Sequence, residues 1–104
     1  MRILRDFRNR SVRLTQERLA HVLEHPEMEG MAEAIARVLA MPERVIQSLN
    51  DVQAHLYYRY FFDTLLGDKY LCVVVKIREN DAFVLTAYLT DTIKKGVILW
   101  PKKL

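Results

Sequence analysis

Two periodicities divide the chain near residue 42. Before that point apolar residues recur at helical intervals; after it they alternate or run together as strands do. Thr15 is suited to cap a helix that begins at Gln16, with Leu19, Val22 and Leu23 as its apolar stripe. Pro26 disfavours helical geometry at His25, which ends this helix at about that residue. A second helix is predicted from 27 or 28 to 39, because Met31, Ile35, Val38 and Leu39 fall at i, i+4, i+7 and i+8. Pro42 stops it. Residues 12–14 read as a short extended lead-in before the first helix. Beyond Pro42 come a short strand over 45–48, an aromatic-rich strand over 56–62 and a strong strand over 70–77. Further strands follow over 82–89 and 97–100, with a turn or single helical turn over 90–96. Gly67-Asp68 and Glu79-Asn80-Asp81 supply the turn signals, and Pro101 with the two lysines after it protects the last edge. Helices followed by consecutive strands predict an α+β fold: two N-terminal helices, then an antiparallel sheet of about four strands.

Composition narrows the class. A chain of 104 residues holds one domain, and a hydrophobic fraction of 51% with 28% charged residues supports a folded core. No internal repeat or low-complexity segment interrupts it. One cysteine, Cys72, cannot form an internal disulfide and favours a reducing, cytoplasmic setting. No Cys/His spacing suits zinc, so neither a metal nor a cofactor is expected. The arginine-rich start, residues 1–13, lacks the apolar run of a secretory signal. The longest apolar run, 71–75, is too short to span a bilayer, so no membrane partner is expected. The net charge of +3 is unevenly spread: residues 1–18 carry six arginines against two acids, and 19–51 carry six acids against two arginines. Residues 52–104 carry eight cations against five acids. A basic start and a basic sheet half flanking an acidic middle suit a polyanion on one side, although a net charge this small also fits an ordinary solvated surface.

The candidate chemistry begins on the first helix. With Leu19 at zero on a helical wheel, Arg18, His21 and His25 gather at roughly 200–260°, away from the core stripe. His21 and His25 stand four apart, a spacing that can bind zinc, but no third ligand and no HExxH glutamate accompanies them. The plainer reading is a pair of surface histidines, one favourably placed at the helix C-terminus. On the strands, alternation groups His55, Tyr57, Arg59 and Phe61 on one face. It also groups Tyr70, Cys72, Val74 and Lys76, and then Val84, Thr86 and Tyr88. A two-residue turn at Gly67-Asp68 sets Arg59 opposite Lys76, and a three-residue turn at Glu79-Asn80-Asp81 sets Val74 opposite Thr86. Arg59, Lys76, Thr86 and Tyr88 then share one side of the sheet, in a register that a one-residue slip breaks. Two opposed cations repel, and an anion between them offsets that cost. Alternatively, both side chains reach solvent over apolar surface, and Thr86 and Tyr88 are ordinary strand residues. Cys72 reads as a small core residue, as do at least two of Tyr57, Tyr58 and Tyr60, although tyrosines can also stack on bases.

Four strings carry a family resemblance: His21-Val22-Leu23-Glu24-His25-Pro26-Glu27, Tyr57-Tyr58-Arg59-Tyr60, Tyr70-Leu71-Cys72-Val73-Val74-Val75-Lys76 and Phe83-Val84-Leu85-Thr86-Ala87-Tyr88. From Arg13 to Trp100 the chain resembles the phage- and mobile-element-associated branch of the barnase–EndoU–colicin–RelE-like nucleases. The resemblance implies helices followed by a curved antiparallel sheet. It also implies metal-independent endoribonuclease activity, in which the 2′-hydroxyl of RNA attacks the adjacent phosphate to leave a 2′,3′-cyclic phosphate. His21 or His25 would then transfer the proton, Arg59 and Lys76 would hold the phosphate, and Thr86 and Tyr88 would orient the substrate, with Tyr88 also able to act as acid. RNA is the implied partner, and a toxin role would add a protein antitoxin or immunity partner. The competing reading is a non-catalytic RNA- or protein-binding module that uses the same basic sheet face.

Overall fold

The computed structural model of the chain describes residues 1–102, so Lys103, one of the two lysines read as protecting the last edge, lies outside the described residues. The chain opens on strands: β1 (Arg2–Arg5) and β2 (Ser11–Leu14). Next come α1 (Gln16–Leu23), a 3-10 turn (Pro26–Met28) and α2 (Ala32–Ala40). The rest is strand: β3 (Arg44–Ser48), β4 (Ala54–Thr64), β5 (Gly67–Arg78), β6 (Asp81–Thr90) and β7 (Gly96–Trp100). All seven join one sheet in the order β1-β2-β6-β5-β4-β3-β7. Every pairing is antiparallel except β2 with β6, which meet in parallel at Arg13 and Phe83. Among the described residues no helix is long and apolar enough to cross a membrane.

This corrects the expected fold. The class is α+β, but the helices follow a strand pair, and the sheet has seven strands rather than about four. β1 was invisible because a four-residue strand with only Leu4 buried shows no period. α1 begins as expected, with the Thr15 hydroxyl accepting the Arg18 backbone N–H at 3.1 Å. The expected second helix is broken: Gly30 takes a positive φ of 75°, which separates the 3-10 turn from α2.

Two local features set the faces of the sheet. The β4–β5 hairpin turns at Leu65-Leu66, with Thr64 paired to Gly67. An extra residue at Phe62-Asp63 then shifts the register by one, so Arg59 lies opposite Leu71 rather than Lys76. Lys76 lies opposite Ala54. The β5–β6 turn holds two residues, since Arg78 pairs with Asp81. Val74 nevertheless faces Thr86, because a bulge leaves Leu85 as an extra residue between Thr86 and Val84. The shorter turn and the extra residue cancel. The same bulge puts Val84 on the opposite face from Thr86 and Tyr88.

One face carries the main core, in which Leu14, Val22, Ile35, Val38 and Leu39 pack against Val45, Tyr57, Leu71, Val73 and Val75. The other face carries a smaller core of Ile46, Ala54, Leu56, Tyr58, Cys72 and Val74, with Leu85, Tyr88 and Ile93 against it. Asp6, in the turn after β1, ties the first hairpin to the main core. Its carboxylate accepts the backbone N–H groups of Arg8 and Arg10 at 2.9 and 2.8 Å and the Tyr57 hydroxyl at 2.7 Å. The same turn reaches β7, where Phe7 packs on Trp100 at 5.2 Å and Arg8 donates to the Leu99 carbonyl.

β7 approaches β3 closely at Gly96, where an added Cβ would stand 2.4 Å from the Gln47 carbonyl oxygen. Gly96→Ala must therefore push the backbones apart. We expect it to cost about 1–3 kcal/mol, as overpacking does. A urea melt should show a lower midpoint with an unchanged slope.

Candidate functional site

The six residues singled out in the sequence do not meet at one place. His21 lies on α1, which packs over β6, and His25 lies just past its end, before the 3-10 turn rather than on the helix; both side chains are largely exposed. Their near neighbours are carboxylates: Glu24 at 3.6 Å from His21 Nδ1, and Glu27 at 3.6 Å from His25 Nδ1. Arg59 points to the helix-bearing face and donates to the Met41 carbonyl at 2.8 Å, where it closes the end of α2. Lys76 is on the other face, ion-paired with Asp51. That pairing draws the Asp51 carboxyl below its usual range, helped by the Gln53 backbone N–H. The expected cation pair of Arg59 and Lys76 is therefore absent: the extra residue in β4 at Phe62-Asp63 shifts the register by one and sets the two residues on opposite faces. Thr86 and Tyr88 are brought together, on the face away from the helices.

That face holds a hollow of about 330 Å³. Leu56, Val74 and Ile46 form its apolar floor, Thr86 and Tyr88 one side, and Lys94 and Lys95 another. A second hollow shares Ile46, Lys94 and Lys95 with it and adds Arg44 and Ile98. A third shares Arg44 and Ile98 and adds Pro101 and Lys102. The three make one trough that crosses from β6 to β7, about 19 Å if four strand spacings are counted. Its described lining carries four cations, Arg44, Lys94, Lys95 and Lys102, and no carboxylate. Elsewhere the surface hollows mix charges: Glu79 and Asp81 join Arg10 and Arg78 in one, and Glu17 and Glu24 join Arg18 and His21 in another.

The segment that carries the lysines is held from below. Tyr58 is fully buried, and its hydroxyl accepts the Lys94 backbone N–H at 3.2 Å. The Lys94 ammonium sits 5.9 Å from the centre of the Tyr88 ring, within cation–π range. Burial pushes the Tyr58 hydroxyl up to about 12 and the Cys72 thiol up to about 11. At those values both groups stay protonated, and Cys72 is no nucleophile. Burial also raises Tyr88, beside Cys72 and Tyr58, and its buried hydroxyl has no hydrogen-bond partner among the described residues. Among the described residues no three His, Cys, Asp or Glu side chains gather as a metal site.

Of the trough's lining, the sequence singles out Thr86 and Tyr88 but does not group Arg44, Lys94, Lys95 and Lys102 as one set. Lys94-Lys95 stood out only as part of a turn. The available signal was an adjacent lysine pair just before a strand-starting glycine, which says where the chain bends but not what the bend faces. The chain matches no family model, no curated protein and no solved structure.

Two outcomes follow from the buried groups. Tyr88→Phe removes an unpaired buried hydroxyl, so it should leave stability unchanged or slightly raised, within about 0.5 kcal/mol, in a chemical melt. His55 titrates differently from an exposed histidine: burial, then repulsion from Arg10, hold its imidazole below the usual range, against the pull of Asp6. The unfolded chain therefore takes up this proton first. The contribution is complete above the unfolded value of about 6.5 and is lost as pH falls through it. The melting midpoint should drop between pH 7.5 and 6, and His55→Gln should flatten that drop.

Proposed function

We propose that this chain binds RNA along the trough, with Arg44, Lys94, Lys95 and Lys102 against the phosphates and Thr86 offering a hydrogen bond to the backbone. The observation that carries this reading is the continuity of the trough: four cations along an apolar floor, without a carboxylate among its described residues. Such a surface attracts a polyanion, and a chain of evenly spaced phosphates can meet all four cations along its length. A reducing cytoplasm fits the one thiol, which is buried and free.

A second reading, metal-independent RNA cleavage by 2′-hydroxyl attack, is favoured by the nuclease resemblance and by Thr86 and Tyr88 lying on the trough. It would bring with it a toxin role and a protein antitoxin or immunity partner. Against it stands the separation of parts: transesterification needs a proton acceptor at the 2′-hydroxyl, and neither His21 nor His25 lines the trough. Binding is the reading that the geometry supports better.

Both readings meet in one experiment. A labelled RNA is titrated with the protein in EDTA at several salt concentrations, and the same samples are resolved for 2′,3′-cyclic phosphate ends. If all four cations meet phosphates, log K should fall against log salt with a slope near about −2.8, and Lys94→Ala/Lys95→Ala should reduce it by about 1.4. His21→Ala/His25→Ala should bind as the wild type does. Salt-independent or absent binding would sink the proposal. Cyclic-phosphate ends that vanish in the histidine variant would favour the second reading.

A further inference from the structure

The trough-bearing face continues into a row of aromatic rings that the phosphate contacts leave unused. β4 and β5 are the longest strands and run on past their neighbours: β3 pairs with β4 only as far as Tyr58, and β6 ends opposite Tyr70. From there outward they form an arm. Tyr58 packs on Tyr70 at 6.2 Å, Tyr70 on Tyr60 at 4.9 Å and Tyr60 on Phe62 at 5.4 Å, each edge to face. This geometry fixes the tilt of each ring without stacking one ring on another. Burial ends along the row: Tyr58 is 0% exposed, Tyr60 36% and Phe62 73%. A phenylalanine that exposed, held in place by its neighbours, is an apolar surface without a partner inside the fold.

The row is continuous with the trough. Tyr58, its buried end, accepts the Lys94 backbone N–H and lies directly opposite Arg44. Tyr60 is two residues further along the same face, about 7 Å away. The charges around the arm sort its occupant. The Glu43 carboxylate is taken by the Tyr60 backbone N–H, and Asp91 pairs with Lys69. Asp63 and Asp68 stand at the tip, where Asp68 accepts the Asp63 backbone N–H at 3.0 Å. Phosphate is therefore welcome in the trough and unwelcome at the tip, while the stretch between offers neutral rings.

We infer that Tyr60, Phe62 and Tyr70 are a stacking platform for unpaired bases, so that the ligand of the trough is a single strand with its bases splayed onto the arm. This rests on the trough reading. A duplex keeps its bases in its own stack and cannot present them to the rings; a single strand can, and aromatic side chains take any base because every base has a π-face. The backbone crosses the sheet over the lysines, and the acidic tip bounds the platform beyond Phe62.

The test compares a labelled single-stranded RNA with its blunt duplex, binding to the wild type, Phe62→Leu, Tyr60→Leu and Lys94→Ala/Lys95→Ala. Phe62 and Tyr60 lie at the surface, so the leucine variants keep an apolar side chain and should fold; circular dichroism checks this. The single strand should bind the wild type about tenfold or more tighter than the duplex. Each leucine variant should weaken single-strand binding about fivefold or more, with the salt slope unchanged. Leucine variants that bind the single strand like the wild type would overturn the platform and leave the arm to a protein partner, while the trough stands if the lysine variant still loses affinity and slope. A duplex bound as tightly as the single strand also overturns it. Wild-type binding by the lysine variant would instead remove the trough reading itself.

Discussion

Everything in this fold follows from a central strand that must be covered on both sides. Leu71 to Val75 are five successive residues of β5, and all are buried. Alternation sends Leu71, Val73 and Val75 to one face and Cys72 and Val74 to the other, so neither face can be left to water. At about 1.5–3 kcal/mol for each large aliphatic side chain buried, exposing either set would unfold a domain of this size. α1 and α2 cover the first face with an apolar stripe. The second face has no helix. It is covered by the segments around Asn50 and Ile93, which are too short to close over it. The trough is what remains open between them.

That incomplete cover explains the chemistry of the trough. A helix would have buried the floor and sent its polar groups outward. Instead, the segment after β6 lays Ile93 against the core and leaves Lys94 and Lys95 beside the opening, anchored by the Tyr58 hydroxyl. Arg44 joins them because β3 pairs with β4 in a register that puts it opposite Tyr58, on the same face. Only backbone pairing and one buried tyrosine bring these cations together. On the far side the sheet is tied up independently: Asp6 clamps the first hairpin to Tyr57, and the turn it organises touches β7, the last strand in the sheet order.

The parts of the sequence that resembled a nuclease are therefore split between two sides of one sheet. His21, His25 and Arg59 belong to the helix-bearing side, where Arg59 finishes α2 and the imidazoles lie near acidic neighbours. Thr86 and Tyr88 belong to the trough. Lys76 shares their side but spends its charge on Asp51. Arg59 and Lys76 part company because an extra residue at Phe62-Asp63 shifts the register by one behind the β4–β5 turn. Its apolar tip, Leu65-Leu66, looks unlike a turn, whereas Gly67-Asp68 looks like one and is in fact the start of β5.

The long elements were legible in the sequence because burial imposes a period on them. The Thr15 cap, the α2 stripe and strands β4, β5 and β6 all follow from where apolar residues recur. Tyr57 and Tyr58 belong to the core, as the bias of tyrosine in strands suggests. Four-residue β1 carried too few positions to show a period, and Gly30 broke a helix whose stripe reads as continuous. Register lay beyond reach: which residue starts a turn, and whether Leu85 is an extra residue, are decided by how two strands pack together, and a shift of one position reverses the face. The tertiary structure alone decided which cations meet. Charge has no period along the chain, and Arg44, Lys94, Lys95 and Lys102 become neighbours only when β3 and β7 pair at the edge of the sheet.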